Sequence, residues 1–91
     1  MNILKKANEI VNERSEEKER EYGDFSESME KASKLASIMT SKNISTEDMY
    51  ICMVALKMSR ESFKHKEDNL LDCVAYLGAL NNYINNKKKV V

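Results

Sequence analysis

Nine residues with chemical potential fall in one stretch, KMSRESFKHKEDNLLDCVAY: Lys57, Arg60, Lys64, His65, Lys66, Asp68, Asn69, Asp72 and Tyr76. Residues three or four apart share a helix face, which aligns Lys57, Arg60 and Lys64 near the end of one helix. The same rule aligns Asp68, Asp72, Tyr76 and, further on, Tyr83 along the next helix. A short connection makes such helices antiparallel neighbours, so the basic and acidic stripes meet at the junction. Two chemistries fit. In one, Lys57, Arg60 and Lys66 contact phosphates while Asp68, Asn69 and Tyr76 read a sugar or base. In the other, Asp68 and Asp72 hold Mg²⁺, which prefers oxygen ligands and bridges to a nucleotide phosphate. An interhelix salt-bridge network that only fixes packing gathers the same residue types.

The elements that must position these groups are helices. The chain has 91 residues, no proline and two glycines, Gly23 and Gly78. Proline and glycine interrupt helices most strongly, so long unbroken helices are expected. The first helix is predicted from Asn2 to about Arg20 on Ile3, Leu4, Ala7, Ile10 and Val11, its second half a charged, solvated run. Tyr22-Gly23-Asp24 punctuates the chain: Gly23 can close the first helix at positive φ, and Asp24 or Ser26 can cap the second. A plain helix connection accounts for that turn, and the free N–H groups of a helix start also suit an anionic ligand.

The second helix is predicted from Phe25 to about Thr40, with Phe25, Met29, Ala32, Leu35, Ala36 and Met39 inward. Ser45 to Asp48 reads as a capped helix start. The third helix then runs from Thr46 to Phe63 with Met49, Cys52, Met53, Leu56 and Phe63 inward. The fourth begins near Glu67 or Asp68 and reaches about Asn86 on Leu70, Leu71, Val74, Leu77, Leu80 and Ile84. Lys87, Lys88 and Lys89 follow where cations favour a helix end.

The fold class is therefore all-α: one helical domain over residues 1–91, a compact bundle of about four helices. A chain this small buries a limited share of its surface, which makes assembly into a homo-oligomer an expectation. Lys and Arg total 15 against 15 Asp and Glu, so the formal net charge is zero. That balance argues against a duplex nucleic-acid binder. No apolar run approaches the roughly 20 residues that span a bilayer, and the N-terminus lacks a signal-peptide core. The expected location is the cytoplasm. Cys52 and Cys73 read as small buried hydrophobes, with neither a disulfide nor a zinc site in view.

Tyr22-Gly23-Asp24, Ala55-Leu56-Lys57-Met58-Ser59-Arg60 and the run from Lys66 to Tyr76 resemble a family of small helical phage and prophage proteins. Its members show a Tyr-Gly-Asp turn, a Leu-Lys-x-x-Arg helix end and an Asp-Asn-x-x-Asp-x-x-x-Tyr helix start. The likeness covers residues 7 to 83. A proline commonly follows the turn in that family, where Phe25 stands here, and the segment around Lys18 and Arg20 is more charged. The fourth-helix pattern is also weakly similar to the MazG-type all-α nucleotide pyrophosphohydrolases, which hold Mg²⁺ on two carboxylate pairs. Glu27 and Glu30 match the first pair, but Asn69 with Asp72 replaces the second, and an amide oxygen binds Mg²⁺ less well.

These resemblances imply a small nucleotide-binding protein, without a resident metal or cofactor, that sequesters a nucleotide-derived immune signal of the cyclic nucleotide or cyclic ADP-ribose type. Such a phage-type protein would act in the cytoplasm of a bacterial host. Lys57, Arg60 and Lys66 would grip phosphates, Tyr22 and Tyr76 would stack on bases, and Asp68, Asn69 and Asp72 would contact ribose or base edges. Arg20, Gly23 and Asp24 complete the expected ligand set. One alternative is a Mg²⁺-dependent hydrolase of the MazG kind. The other is an adaptor that blocks a host enzyme through an exposed Met- or Tyr-rich stripe, such as the face carrying Tyr50.

Overall fold

Local capping decides where the helices of this chain begin. In a computed structural model, which describes residues 2–13 and 24–89, Asn2 Oδ1 accepts from Leu4 N and Lys5 N, both at 3.1 Å. That opens α1 (Ile3–Asn12). Helix α2 (Phe25–Thr40) starts after Asp24, which makes no side-chain capping bond to the helix backbone; its carboxylate accepts instead from Ser26 Oγ at 2.6 Å. Helix α3 (Thr46–Phe63) carries the expected capping box: Asp48 N donates to Ser45 Oγ at 3.0 Å and Ser45 N donates to Asp48 Oδ2 at 3.1 Å. Helix α4 (Glu67–Lys89) follows. No strand occurs among the described residues. The first helix was expected to continue to about Arg20, and that continuation lies outside the described residues.

The turn from α2 to α3 is tied by serines rather than glycine. Ser41 sits at φ 57° in the left-handed region, and Lys42 N donates to Ser37 O at 3.2 Å. Ile44 N donates to Ser37 Oγ at 2.9 Å, and buried Ser33 Oγ lies 3.2 Å from Thr46 Oγ1. These hydroxyls satisfy backbone groups that the sharp turn leaves without helical partners.

Helix α4 is the shared partner: α1 and α3 both pack on it, and α2 packs on α3. One buried cluster joins Ala7 of α1 to Leu71 and Ala75 of α4, with Ile3, Val11 and Val74 around it. The other joins Met29, Tyr50 and Ala79, with Phe25, Met53, Tyr76 and Tyr83 against it. Full burial of a side chain the size of Leu71 or Met29 contributes on the order of 1.5–3 kcal/mol, and an alanine methyl such as that of Ala7, Ala75 or Ala79 about 0.8 kcal/mol.

Several side-chain directions differ from expectation. Tyr50 is the most deeply buried large residue, 1% exposed, so it cannot supply an adaptor's exposed stripe. Its ring meets Phe25 edge-on at 5.9 Å and Tyr83 at 5.7 Å. Leu35, Met39, Cys52, Leu56, Phe63 and Leu77 are exposed rather than inward. Helix α2 packs mainly on α3, and α3 is covered where it meets α4 and α2, so the remaining apolar positions of both face out; Leu77 on α4 is exposed likewise. Helix α3 is apolar around much of its circumference, and Tyr50, Met53, Val54, Lys57 and Glu61 form the covered side. Spacing shows that a helix is apolar; it does not choose the covered face when several are apolar. Among the described residues, no helix is long and apolar enough to cross a membrane.

Candidate functional site

The junction between α3 and α4 spans residues 64–66 and is organised by a side chain the sequence did not single out, Glu61. Lys64 leaves the helix in extended conformation, with its N–H still bonded to Arg60 O at 3.1 Å. That turn swings the chain back over Glu61. Glu61 Oε2 pairs with His65 Nδ1, and Oε1 accepts from Lys66 N at 3.1 Å and from Asn69 Nδ2 at 3.5 Å. The Asn69 amide also reaches Lys64 O at 3.5 Å. Glu61 thereby caps α4 from the preceding helix. The His65 hydrogen bond, with help from the Lys66 N–H and Asn69, holds its carboxyl below the ordinary value. The only sequence signal for this role is the i, i+4 spacing of Glu61 and His65.

One turn further along, Lys57 Nζ lies 3.0 Å from Asp72 Oδ2. The basic stripe of α3 and the acidic stripe of α4 therefore meet at this one pair. Cys73 is buried beside this pair, and burial raises its thiol pKa, the Asp72 charge adding to it. Its Sγ points to Val54 O at 3.6 Å. Tyr76, one turn beyond Asp72, is half-buried with its ring 5.8 Å from that of Phe25. Phe25 follows Asp24, so the start of α2 abuts the same side of α4.

The structure thus pairs Lys57 with Asp72, ties Asn69 and the Lys66 backbone together through Glu61, and sets Tyr76 against Phe25, the neighbour of Asp24. It leaves the side chains of Arg60, Lys66 and Asp68 exposed, without an ion pair among the described residues. Arg20, Tyr22 and Gly23 lie outside the described residues. Among the described residues, no three His, Cys, Asp or Glu side chains converge in a way that could hold a metal. Glu27 and Glu30 consequently form no such cluster with Asp72. Asn69 donates its Nδ2 to Glu61 and to the Lys64 carbonyl.

A separate groove of about 220 Å³ lies between α1 and α4, lined by Leu4, Asn8, Asn12, Gly78, Asn81 and Asn82 among others. Asn12 Nδ2 donates to Asn8 Oδ1 at 2.7 Å, and Asn82 Nδ2 donates to Asn12 Oδ1 at 3.0 Å. None of the expected site residues lines it.

Residues 2–84 match a domain of unknown function (DUF6378), and the chain belongs to that family. The family's description assigns no activity. No curated protein and no solved structure matches the chain.

Proposed function

We propose that this member of the family binds a small phosphate-bearing ligand of the nucleotide class at the α3–α4 junction and holds it without cleaving it. The observation that carries this reading is the state of the cations there. Lys57 is neutralised by Asp72 and His65 is engaged by Glu61, but Arg60, Lys64 and Lys66 reach solvent with no anionic partner among the described residues. The stretch from Lys57 to Asp72 is charge-balanced, four cations against four carboxylates, so a phosphate would be held by charge-assisted hydrogen bonds to these three side chains and not by a net basic field. Asp68, exposed in the first turn of α4, is the group this reading assigns to a sugar hydroxyl.

The finer reading rests on the resemblance at Tyr22-Gly23-Asp24, at Lys57 and Arg60, and at Asn69, Asp72 and Tyr76. It is sequestration of a nucleotide-derived immune signal by an oligomeric phage-type protein in a bacterial cytoplasm. The Mg²⁺-dependent hydrolase ranks lower, because no three His, Cys, Asp or Glu side chains converge among the described residues. A protein–protein adaptor is the second reading, supported by Ile38 and Met39, which are 76% and 83% exposed on α2.

A thermal-shift screen with linear nucleotides, cyclic di- and trinucleotides and cyclic ADP-ribose isomers, with and without Mg²⁺, tests the proposal. Stabilisation that is independent of Mg²⁺, is lost in Arg60→Ala and releases the ligand intact supports it. A product formed only with Mg²⁺ transfers the assignment to the hydrolase. Silence across the panel leaves the adaptor.

A further inference from the structure

Helix α3 has an outward side unlike that of any surface helix built only for water. Ile51, Cys52, Ala55, Leu56, Met58 and Phe63 all lie on it, and all are exposed. Phe63 is 92% exposed, Ile51 52%, Met58 49% and Leu56 41%. Between Asp48 and Arg60 no exposed residue of α3 carries a charge. The one lysine in that interval, Lys57, turns inward to Asp72. An aromatic side chain presents about 150–250 Å², so the face as a whole offers on the order of 500 Å² of apolar surface.

We propose that this face is a homodimer interface, in which α3 packs against α3 of a second copy in antiparallel fashion about a twofold axis near Ala55. Charge selects the occupant and the direction. The apolar run is bounded by Asp48 at the N-terminal end and by Arg60 and Lys64 at the C-terminal end. Antiparallel pairing sets Asp48 of each copy against Arg60 and Lys64 of the other, and opposes the two helix dipoles favourably. A parallel pair would stack like charges. An isologous contact needs a self-complementary surface, which an uncharged strip with opposite charges at its two ends supplies. The zero net charge of the chain removes long-range repulsion between copies. The exposed apolar residues between Asp48 and Arg60 run from Ile51 to Met58, whose midpoint falls between Val54 and Ala55, and the small side chain of Ala55 lets the two helices approach at the crossing point. Each copy offers less than the roughly 800 Å² of a standard interface, so the dimer forms in the micromolar range and dissociates on dilution.

The test of this interface needs no ligand, and the contact draws Arg60 and Lys64 of each copy towards Asp48 of the other, which leaves Lys66 as the phosphate contact that the dimer does not engage. The full chain is sedimented across a hundredfold range of concentration reaching the high micromolar. The expected result is a reversible monomer–dimer equilibrium whose Kd rises about tenfold or more in Ile51→Glu and in Met58→Glu. Both positions are exposed, so circular dichroism should show each variant folded with its melting temperature little changed at low concentration. In a Cys52→Ser background, Ala55→Cys should oxidise to a disulfide-linked dimer, whereas Lys34→Cys on α2 should not. A monomer at every concentration, association undiminished by Ile51→Glu, or equal cross-linking by Ala55→Cys and Lys34→Cys overturns the proposal.

Discussion

The ammonium of Lys57 lies 3.0 Å from Asp72 Oδ2 across the α3–α4 interface, with the lysine side chain 17% exposed and the aspartate 37%. This pair is half-shielded, so it ranks above a fully solvated surface bridge and below a buried one. A double-mutant cycle of Lys57→Met and Asp72→Asn should give a coupling of about 0.5–1 kcal/mol by denaturant melts.

The same pair bears on the ligand. If Lys57 contributes to phosphate capture, the phosphate competes with Asp72 for it. Asp72→Asn should then tighten binding of a phosphate-bearing hit several-fold by calorimetry. Unchanged affinity would place Lys57 outside the ligand's reach and leave Arg60 and Lys66 as the phosphate contacts.

Tyr50 predicts alkaline behaviour. Burial, with the neighbouring Tyr83, Asp24 and Glu30, pushes its phenol from 10.0 to about 12. A raised value means the folded state holds the proton more tightly than the unfolded state. The resulting stability is present in full below 10 and is lost as pH climbs towards 12, a loss of about 2–3 kcal/mol. Tyrosinate absorbance should therefore show one phenol ionising late and together with the unfolding transition, and Tyr50→Phe should remove that coupling.

Ser41 at φ 57° is the positive-φ non-glycine residue among the described residues. A side chain in the left-handed region costs energy that glycine avoids. Ser41→Gly should stabilise the fold by about 0.5–1 kcal/mol, the gain being limited by the larger entropy of glycine in the unfolded chain. Chemical denaturation midpoints at constant slope would check it.

Glu61 predicts the acid limb. Its carboxyl is held below 4.5, first by His65 and then by the Lys66 N–H and Asn69. The contribution is present in full above 4.5 and is lost as pH falls through the lower folded-state value. Glu61→Gln should melt earlier than the parent at neutral pH, and the gap should close on acidification. A gap that does not change with pH would show that the charge of Glu61 is not what secures the turn.

The helix starts and stops were legible because they are written locally. Ser45 and Asp48 form the box their spacing announces, and the break after Thr40 falls where the apolar pattern stops. Lys57 against Asp72 was legible too, since two i, i+4 stripes joined by a short turn can meet in few ways. The role of Glu61 was not, because it depends on the extended backbone of Lys64 folding the chain back over the carboxylate. The outward side of α3 was misread for a different reason. Its apolar residues run around most of the helix, and which of them face α4 is settled by packing rather than by period. Tyr50 and Phe63 exchanged places on that account, one becoming core and the other surface.

The side-chain bond from Asn82 to Asn12 joins positions 70 residues apart, and α1 packs mainly on α4. During synthesis, α2 and α3 can associate as soon as both are available. Ile3, Ala7 and Val11 must wait, because the surface that shelters them does not exist until α4 has been made. Pairing α1 with α4 therefore closes the longest loop among the described helices, and the apolar stripe of α1 stays without its partner until that loop can close.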